Sequence, residues 1–108
     1  MIVCTTLGPD GTVGGGLGRA SRVAVASVED GEVSTWEEHS VGWDALHDEG
    51  TEGAHHARIV RFLREQGVEV VVARGIGAGM QRTLGTMGLR VVVGVEGDAR
   101  QAVIAAAG

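Results

Sequence analysis

The fold is decided in the second half of the chain, by the run Val68-Glu69-Val70-Val71-Val72-Ala73 and its continuation Arg74-Gly75-Ile76-Gly77-Ala78-Gly79. The first six residues are rich in valine, which predicts a buried strand. The glycines then lead into a helix, whose apolar stripe is Met80, Leu84 and Met87 and which ends at Gly88. A buried strand that turns directly into a helix is typical of an α/β domain.

The same pattern surrounds this stretch on both sides. A helix from Gly53 to Gln66 precedes it, and Gly67 stands where a left-handed C-terminal cap belongs. A strand from Leu89 to Val93 follows, and Asp98 can then cap a third helix, with Gln101 at capping-box spacing.

The first half of the chain predicts three strands. These are Ile2–Leu7, Arg22–Val28 and Glu32–His39, and the last two are joined by Asp30-Gly31, a strong hairpin signal. Residues 40–53 are polar and predict the longest loop.

The predicted element order is βββαβαβα in one domain, residues 1–108, with a mixed five-stranded sheet. Helical crossovers make the first, fourth and fifth strands parallel, so the expected sheet order is third, second, first, fourth, fifth. A topological switch point then falls between the first and fourth strands, where ligands bind in such sheets. Its walls would be Leu7–Arg19 and Arg74–Gly79.

Composition excludes several functions. The 108 residues include 14 Asp and Glu against 9 Arg and no Lys, which gives a net charge of −5. Without Lys there is no P-loop lysine and no Schiff-base lysine. An acidic chain with three aromatic residues lacks the basic stripe of a nucleic-acid surface. A ribonuclease H-type nuclease needs clustered carboxylates that begin on the first strand, and Met1–Leu7 has none.

The single Cys4 cannot form an internal disulfide, and a lone thiol suits a reducing compartment. The apolar run Met1–Leu7 is too short for a membrane span and lacks the basic flank of a signal peptide. We therefore expect a cytoplasmic protein with no membrane partner and no nucleic-acid partner.

Glycines recur at fixed offsets where predicted strands and helices meet. They stand in Gly18-Arg19-Ala20, in Glu29-Asp30-Gly31, and through the C-terminal run from Val70 to Gly97. On these residues the chain resembles the nitrogenase iron-molybdenum cofactor biosynthesis (accessory factor) family, which includes the orange protein. The resemblance implies a ribonuclease H-like three-layer α/β/α sandwich. It also implies binding or carriage of an iron-sulfur or molybdenum/copper-sulfur cluster, or its precursor.

The chain departs from the family pattern at two places. Family members commonly have His-Phe-Gly-Arg where this chain has Gly16-Leu17-Gly18-Arg19, so the histidine is absent and the arginine is kept. Several members also carry a cysteine after the fourth strand, where this chain has Ala73-Arg74.

Seven residues are candidates for holding an anionic group in the crevice. Backbone N–H groups of the glycine turn would point into it together with a helix N-terminus, and arginines favour anions. The candidates are Gly16, Gly18, Arg19, Arg74, Gly75, Gly77 and Gly79. The alternatives are a tight turn that needs positive φ and close helix–sheet packing at Gly75, Gly77 and Gly79, a flexible hairpin tip at Gly14–Gly16, and arginines paired with nearby carboxylates.

Four further residues are candidate metal ligands, because imidazole and thiolate are common ligands of transition metals. They are His47, His55, His56 and Cys4. His55 and His56 are about 100° apart on a helix and cannot both point at one metal. His56 shares a face with Ile59, Val60 and Leu63, so it could instead border the core, and Cys4 could be a buried core residue.

The leading hypothesis is a small binder or carrier of an anionic metal-sulfur species, without enzymatic activity, as a monomer or homodimer. Its partner would be the cluster or a cluster-delivery protein. The alternative is a protein-interaction or regulatory module without metal, which the absence of a histidine at position 16 favours. An enzyme acting on a small phosphate compound is a third hypothesis, but it lacks an identifiable nucleophile or base.

Overall fold

A five-stranded mixed sheet forms the centre of the computed structural model, which describes all residues from Met1 to Gly108. The sheet order is β3-β2-β1-β4-β5; β2 is antiparallel to β1 and β3, and β4 is parallel to β1 and β5. The predicted mixed sheet is confirmed. The strands are β1 (Ile2–Thr6), β2 (Arg22–Glu29), β3 (Glu32–Ser40), β4 (Val70–Val72) and β5 (Arg90–Val92).

Helices cover both faces of this sheet. They are α1 (Trp43–Leu46), α2 (Glu52–Glu65), α3 (Ala78–Thr86) and α4 (Ala99–Ala107), with a short 3-10 turn at Leu17–Arg19. Ile59 of α2 and Leu84 of α3 pack with Cys4 in one core. Val103 of α4 packs with Val3 in the other core. The chain therefore forms three layers, because neighbouring residues of β1 face opposite ways.

Local sequence signals account for most of the element ends. Asp30 and Gly31 both have positive φ, 52° and 75°, as a two-residue hairpin turn of type I′ requires. Gly67 has φ 69°, and the N–H of Val68 after it bonds the carbonyl of Leu63 at 3.0 Å, which closes the last turn of α2. The Asp98 carboxylate accepts a hydrogen bond from the N–H of Gln101 at 2.9 Å and caps α4.

The long loop predicted for residues 40–53 is only partly a loop. It contains α1, and Trp43 at the start of that helix is 2% exposed and packs edge-to-face on Phe62. Burial of this large ring fixes the segment against the α2 layer. Trp36 lies on the opposite face of the sheet, with the Arg100 guanidinium 4.6 Å from its ring centroid.

The glycine run after β1 is ordered rather than flexible. Gly14 is buried and its N–H bonds the carbonyl of Thr6, while Leu7 and Val13 form an isolated antiparallel bridge. A Cβ at Gly14 would lie 2.8 Å from the backbone carbonyl of Leu7. Only glycine fits this close approach of two backbone segments.

None of the four helices is long and apolar enough to traverse a lipid bilayer.

We expect Gly14→Ala to lower the free energy of unfolding by about 1–3 kcal/mol, because the new methyl group forces the two backbones apart. Gly15→Ala is the matched control, since a Cβ there has no atom within 4 Å and its φ is not positive. The control should stay within about 0.5 kcal/mol of the parent chain. Urea unfolding followed by circular dichroism measures both, and equal stabilities of the two variants would contradict the close packing at Gly14.

Candidate functional site

One cleft of about 580 Å³ opens where the chain leaves the carboxyl ends of β1 and β4. This is the switch point of the sheet, because β1 leads away toward β2 while β4 leads into α3. The lining residues come from the 3-10 turn, the segment from α1 to α2, and the β4–α3 turn. They are Gly16, Leu17, Gly18, Arg19, His47, Asp48, Gly50, Glu52, His55, His56, Gly75, Ile76, Gly77 and Met80.

The 3-10 turn forms one wall of the cleft and is fixed to the β4–α3 turn. The N–H of Leu17 donates to the carbonyl of Gly75 at 3.2 Å, and Gly16 forms a parallel bridge with Gly75. The Leu17 side chain is fully buried in the core. Arg19 ends the turn, is exposed, and forms no ion pair. Its guanidinium is therefore available to an anion in the cleft.

The β4–α3 turn lies beside the 3-10 turn and forms a second wall of the cleft with its backbone. Gly75 and Gly77 line the cleft, and neither they nor Gly79 has positive φ, so the predicted alternative of a strained turn is wrong. Gly77 is the N-cap of α3 and supplies no side-chain hydrogen bond, whereas Thr51 caps α2. The first N–H groups of α3 therefore lack a side-chain acceptor beside the cleft, where the helix dipole favours negative charge.

Two partly exposed imidazoles line the cleft. His47 follows α1, is 33% exposed, and has Nδ1 3.1 Å from the Asp48 carboxylate. His56 lies in the first turns of α2, is 29% exposed, and has Nε2 3.8 Å from Glu52. The partial burial of His56 fits the alternative that it borders the core, and His55 is the histidine that is buried with Ile59 and Leu63 on α2.

His55 is bonded at both ring nitrogens. It is 3% exposed; Nε2 lies 2.7 Å from the carbonyl of Gly18, and Nδ1 lies 2.8 Å from the guanidinium of Arg58. A carbonyl and a guanidinium can only accept and donate respectively, so Nε2 carries the proton and Nδ1 accepts. With both nitrogens used, His55 has no lone pair left for a metal, and its predicted role as a ligand does not fit this geometry.

Three other candidates lie outside the cleft lining. Arg74 forms an ion pair with Glu96 at 2.8 Å and is 55% exposed, as the alternative reading of this arginine predicts. Gly79 lies behind His56, where a Cβ would be 3.6 Å from the imidazole. Cys4 is fully buried in the core on the central strand and does not meet the histidines.

Burial raises the pKa of the Cys4 thiol from 9.0 to about 12, because the thiolate would have to form away from water. A soft metal ligand needs the thiolate. The structure thus favours the core-packing alternative for Cys4.

This pKa predicts how stability depends on alkaline pH. The folded pKa lies above the unfolded value, so the contribution of Cys4 is intact below pH 9.0 and is lost as pH rises toward 12. The slope should approach about 1.4 kcal/mol per pH unit. The chain has no Lys and no Tyr, so no other common side chain ionises there. Urea unfolding across this range should show the fall in the parent chain and not in Cys4→Ala; the same fall in both would contradict it.

The acidic residues of the cleft are not among the site residues predicted from the sequence. Asp48 and Glu52 line it but are 90% and 88% exposed, so both lie at its rim. Glu52 and His56 are one helical turn apart, and this i, i+4 spacing was a signal that they share a face. Met80, assigned to the core stripe of α3, also forms part of the floor.

The donors present do not form a site for a bare metal ion. No group of three His, Cys, Asp or Glu side chains in the chain is arranged to hold one. A larger anionic species needs fewer ligands from the protein, because it can also be held by Arg19 and by backbone N–H groups. The groups that line the cleft therefore suit a larger anionic species better than a bare metal ion.

The fold and cleft define a small α/β domain with an open cleft at the switch point of a mixed sheet. Residues 1–108 match the model of the family described as dinitrogenase iron-molybdenum cofactor. The chain belongs to this family, and the resemblance stated from the sequence is confirmed.

Several solved structures share this fold, and they include the following two. The crystal structure of PH0822 has a TM-score of 0.73 at 24% identity, over 98% of this chain and 88% of that one. The NMR structure of a proposed NifB protein from Thermotoga (TM1290), of the DUF35 family, has a TM-score of 0.65 at 24% identity, over 96% and 84%. A search of curated proteins finds no match.

Proposed function

We propose that the protein binds and carries an anionic metal-sulfur cluster, or a precursor of one, in the cleft between β1 and β4. The observation that carries the proposal is the meeting of three kinds of group in one cavity. Accessible imidazoles of His47 and His56 lie there with the unpaired Arg19 and the uncapped N-terminus of α3. Family membership supports cargo related to the iron-molybdenum cofactor.

The imidazoles compensate for the absent histidine at position 16. Gly16 lies in the lining of the same cleft as His47 and His56. A ligand that family members commonly supply at the position before the 3-10 turn is thus supplied here by His47, just after α1, and by His56 on α2. His47 would use Nε2, because Nδ1 faces Asp48.

The charges that line the cleft favour an anion held beside Arg19 and the start of α3. Arg19 and the first turn of α3 supply positive potential there. Asp48 and Glu52 oppose it, but both are almost fully exposed, and solvent screens their charge. An anion would therefore lie toward the β4–α3 turn, away from the acidic rim.

We propose binding rather than catalysis. The lining contains no Ser, Thr, Cys or Lys side chain that could serve as a nucleophile. The proposal includes the ribonuclease H-like classification, a cytoplasmic location, and a cluster-delivery protein as partner.

The test is metal and sulfide analysis, with an absorption spectrum, on untagged protein purified without oxygen. Protein is also incubated with tetrathiomolybdate, or with ferrous iron and sulfide, and then desalted. The proposal predicts stoichiometric metal and a visible charge-transfer band. Colourless, metal-free protein after every incubation would contradict it.

Substitutions of single arginines test where the anion binds. Arg19→Gln should weaken binding of tetrathiomolybdate about tenfold or more, because it removes one charged hydrogen-bond donor. Arg61→Gln, on the exposed face of α2, is the matched control and should bind as the parent chain does. Equal affinities of the two variants would place the anion elsewhere.

The imidazoles are tested separately. His47→Asn combined with His56→Asn should abolish the charge-transfer band, since it removes both accessible nitrogen ligands. His39→Asn is the control, because His39 packs on Phe62 outside the cleft. An unchanged band in the double variant would show that imidazole does not coordinate the species.

Gly16 favours a second candidate function, a protein-interaction or regulatory module without metal. It predicts that a partner captured from lysate binds equally well after the double histidine substitution. Loss of partner binding in that variant would instead connect the partner to the cleft.

A further inference from the structure

The buried imidazole of His55 connects α2 to the 3-10 turn, two elements that are not paired through their backbones. It lies on α2, and its Nε2 bonds the carbonyl of Gly18 in the 3-10 turn, 37 positions earlier in the chain. Arg58, one turn further along α2, bonds the opposite ring nitrogen. A proton on Nδ1 would face this guanidinium, so the bond fixes the tautomer that donates to Gly18.

The hydrogen bond to the Gly18 carbonyl is one of a few contacts that hold the 3-10 turn in place. The turn's other contacts include the bond from the Leu17 N–H to the Gly75 carbonyl at its start, the buried Leu17 side chain, and bonds from the Trp43 and Asp44 N–H groups to the Ala20 carbonyl at its end. The turn is three residues long, and its own bonds from Arg19 and Ala20 are both 3.3 Å. So short a turn needs outside partners to keep one conformation. The bond at 2.7 Å from His55 is shorter than any of these backbone bonds.

We propose that His55 is a positioning residue: through Gly18 it holds the 3-10 turn so that Arg19 faces the cleft, and it does not bind the cargo itself. This inference rests on the proposed function for the role of Arg19. The positioning itself is a property of the protein without cargo and is tested on its own.

The first test uses protein without cargo. His55→Gln keeps an amide that can donate to the Gly18 carbonyl and accept from Arg58, whereas His55→Leu keeps bulk but neither bond. Amide hydrogen exchange by NMR should quicken about tenfold at Leu17 and Ala20 in His55→Leu, the worth of one hydrogen bond. His55→Gln should restore most of the protection, and Val71 on β4 should keep its rate in both.

The imidazole also has a spectroscopic signature. Nitrogen-15 spectra of the parent chain should show His55 as a neutral ring with the proton on Nε2. A ring with its proton on Nδ1 would overturn the proposal. An equal rise in exchange at Val71 and at Leu17 would do so too, because His55 would then support the whole fold rather than the turn.

The second test is a double-mutant cycle for tetrathiomolybdate binding. If His55 acts through Arg19, His55→Leu weakens binding as Arg19→Gln does, and combining the two adds little. His55→Gln should keep the parent charge-transfer band. Additive losses, or loss of the band in His55→Gln, would show that His55 acts other than through Arg19, for example through the His47 ring 5.4 Å from its own, and would overturn the proposal. If the parent chain binds no metal species, the proposed function fails. The hydrogen-exchange test alone then shows whether His55 positions the 3-10 turn.

Discussion

Pairing of β1 on both sides is the constraint on which the structure depends. Its antiparallel register with β2 and its parallel register with β4 set Cys4 beside both Val25 and Val71. β1 is therefore the central strand of the sheet, and its neighbouring residues Val3 and Cys4 belong to different cores. Because β1 and β4 point the same way and their chains diverge, the backbone parts at their ends and leaves a cleft. Neither core could be filled, nor the cleft opened, with a different neighbour for β1.

Backbone groups and side chains contribute different parts of this cleft. The glycine turn after β4 and the uncapped start of α3 present N–H groups, and the 3-10 turn is tied to the same place through Gly75. These features depend on the sheet topology and not on particular side chains. The imidazoles and Arg19 are then added from surrounding segments. In the proposed function, a ligand that is absent at Gly16 is supplied by His47 and His56 from other elements, without any change of fold.

Local signals in the sequence predicted the sheet and most element ends, because each depends on a few neighbouring residues. Asp30-Gly31, Gly67 and Asp98 are such cases. What the sequence could not supply depends on tertiary packing. Whether His55 or His56 turns inward is decided by where Gly18 lies, and burial of Trp43 by the position of Phe62. The arginines illustrate the same limit, since only the fold shows that Arg74 has a carboxylate partner and Arg19 does not.

The proposed function places an anionic metal-sulfur species between the 3-10 turn and the start of α3. An NMR titration of nitrogen-15-labelled protein with tetrathiomolybdate, without oxygen, can locate it. Binding at this place predicts saturable shifts confined to the amides of Gly16–Arg19 and Gly75–Met80 and to the rings of His47 and His56. A titration that leaves these signals in place, or moves signals of the β3 edge or α4 instead, would contradict it.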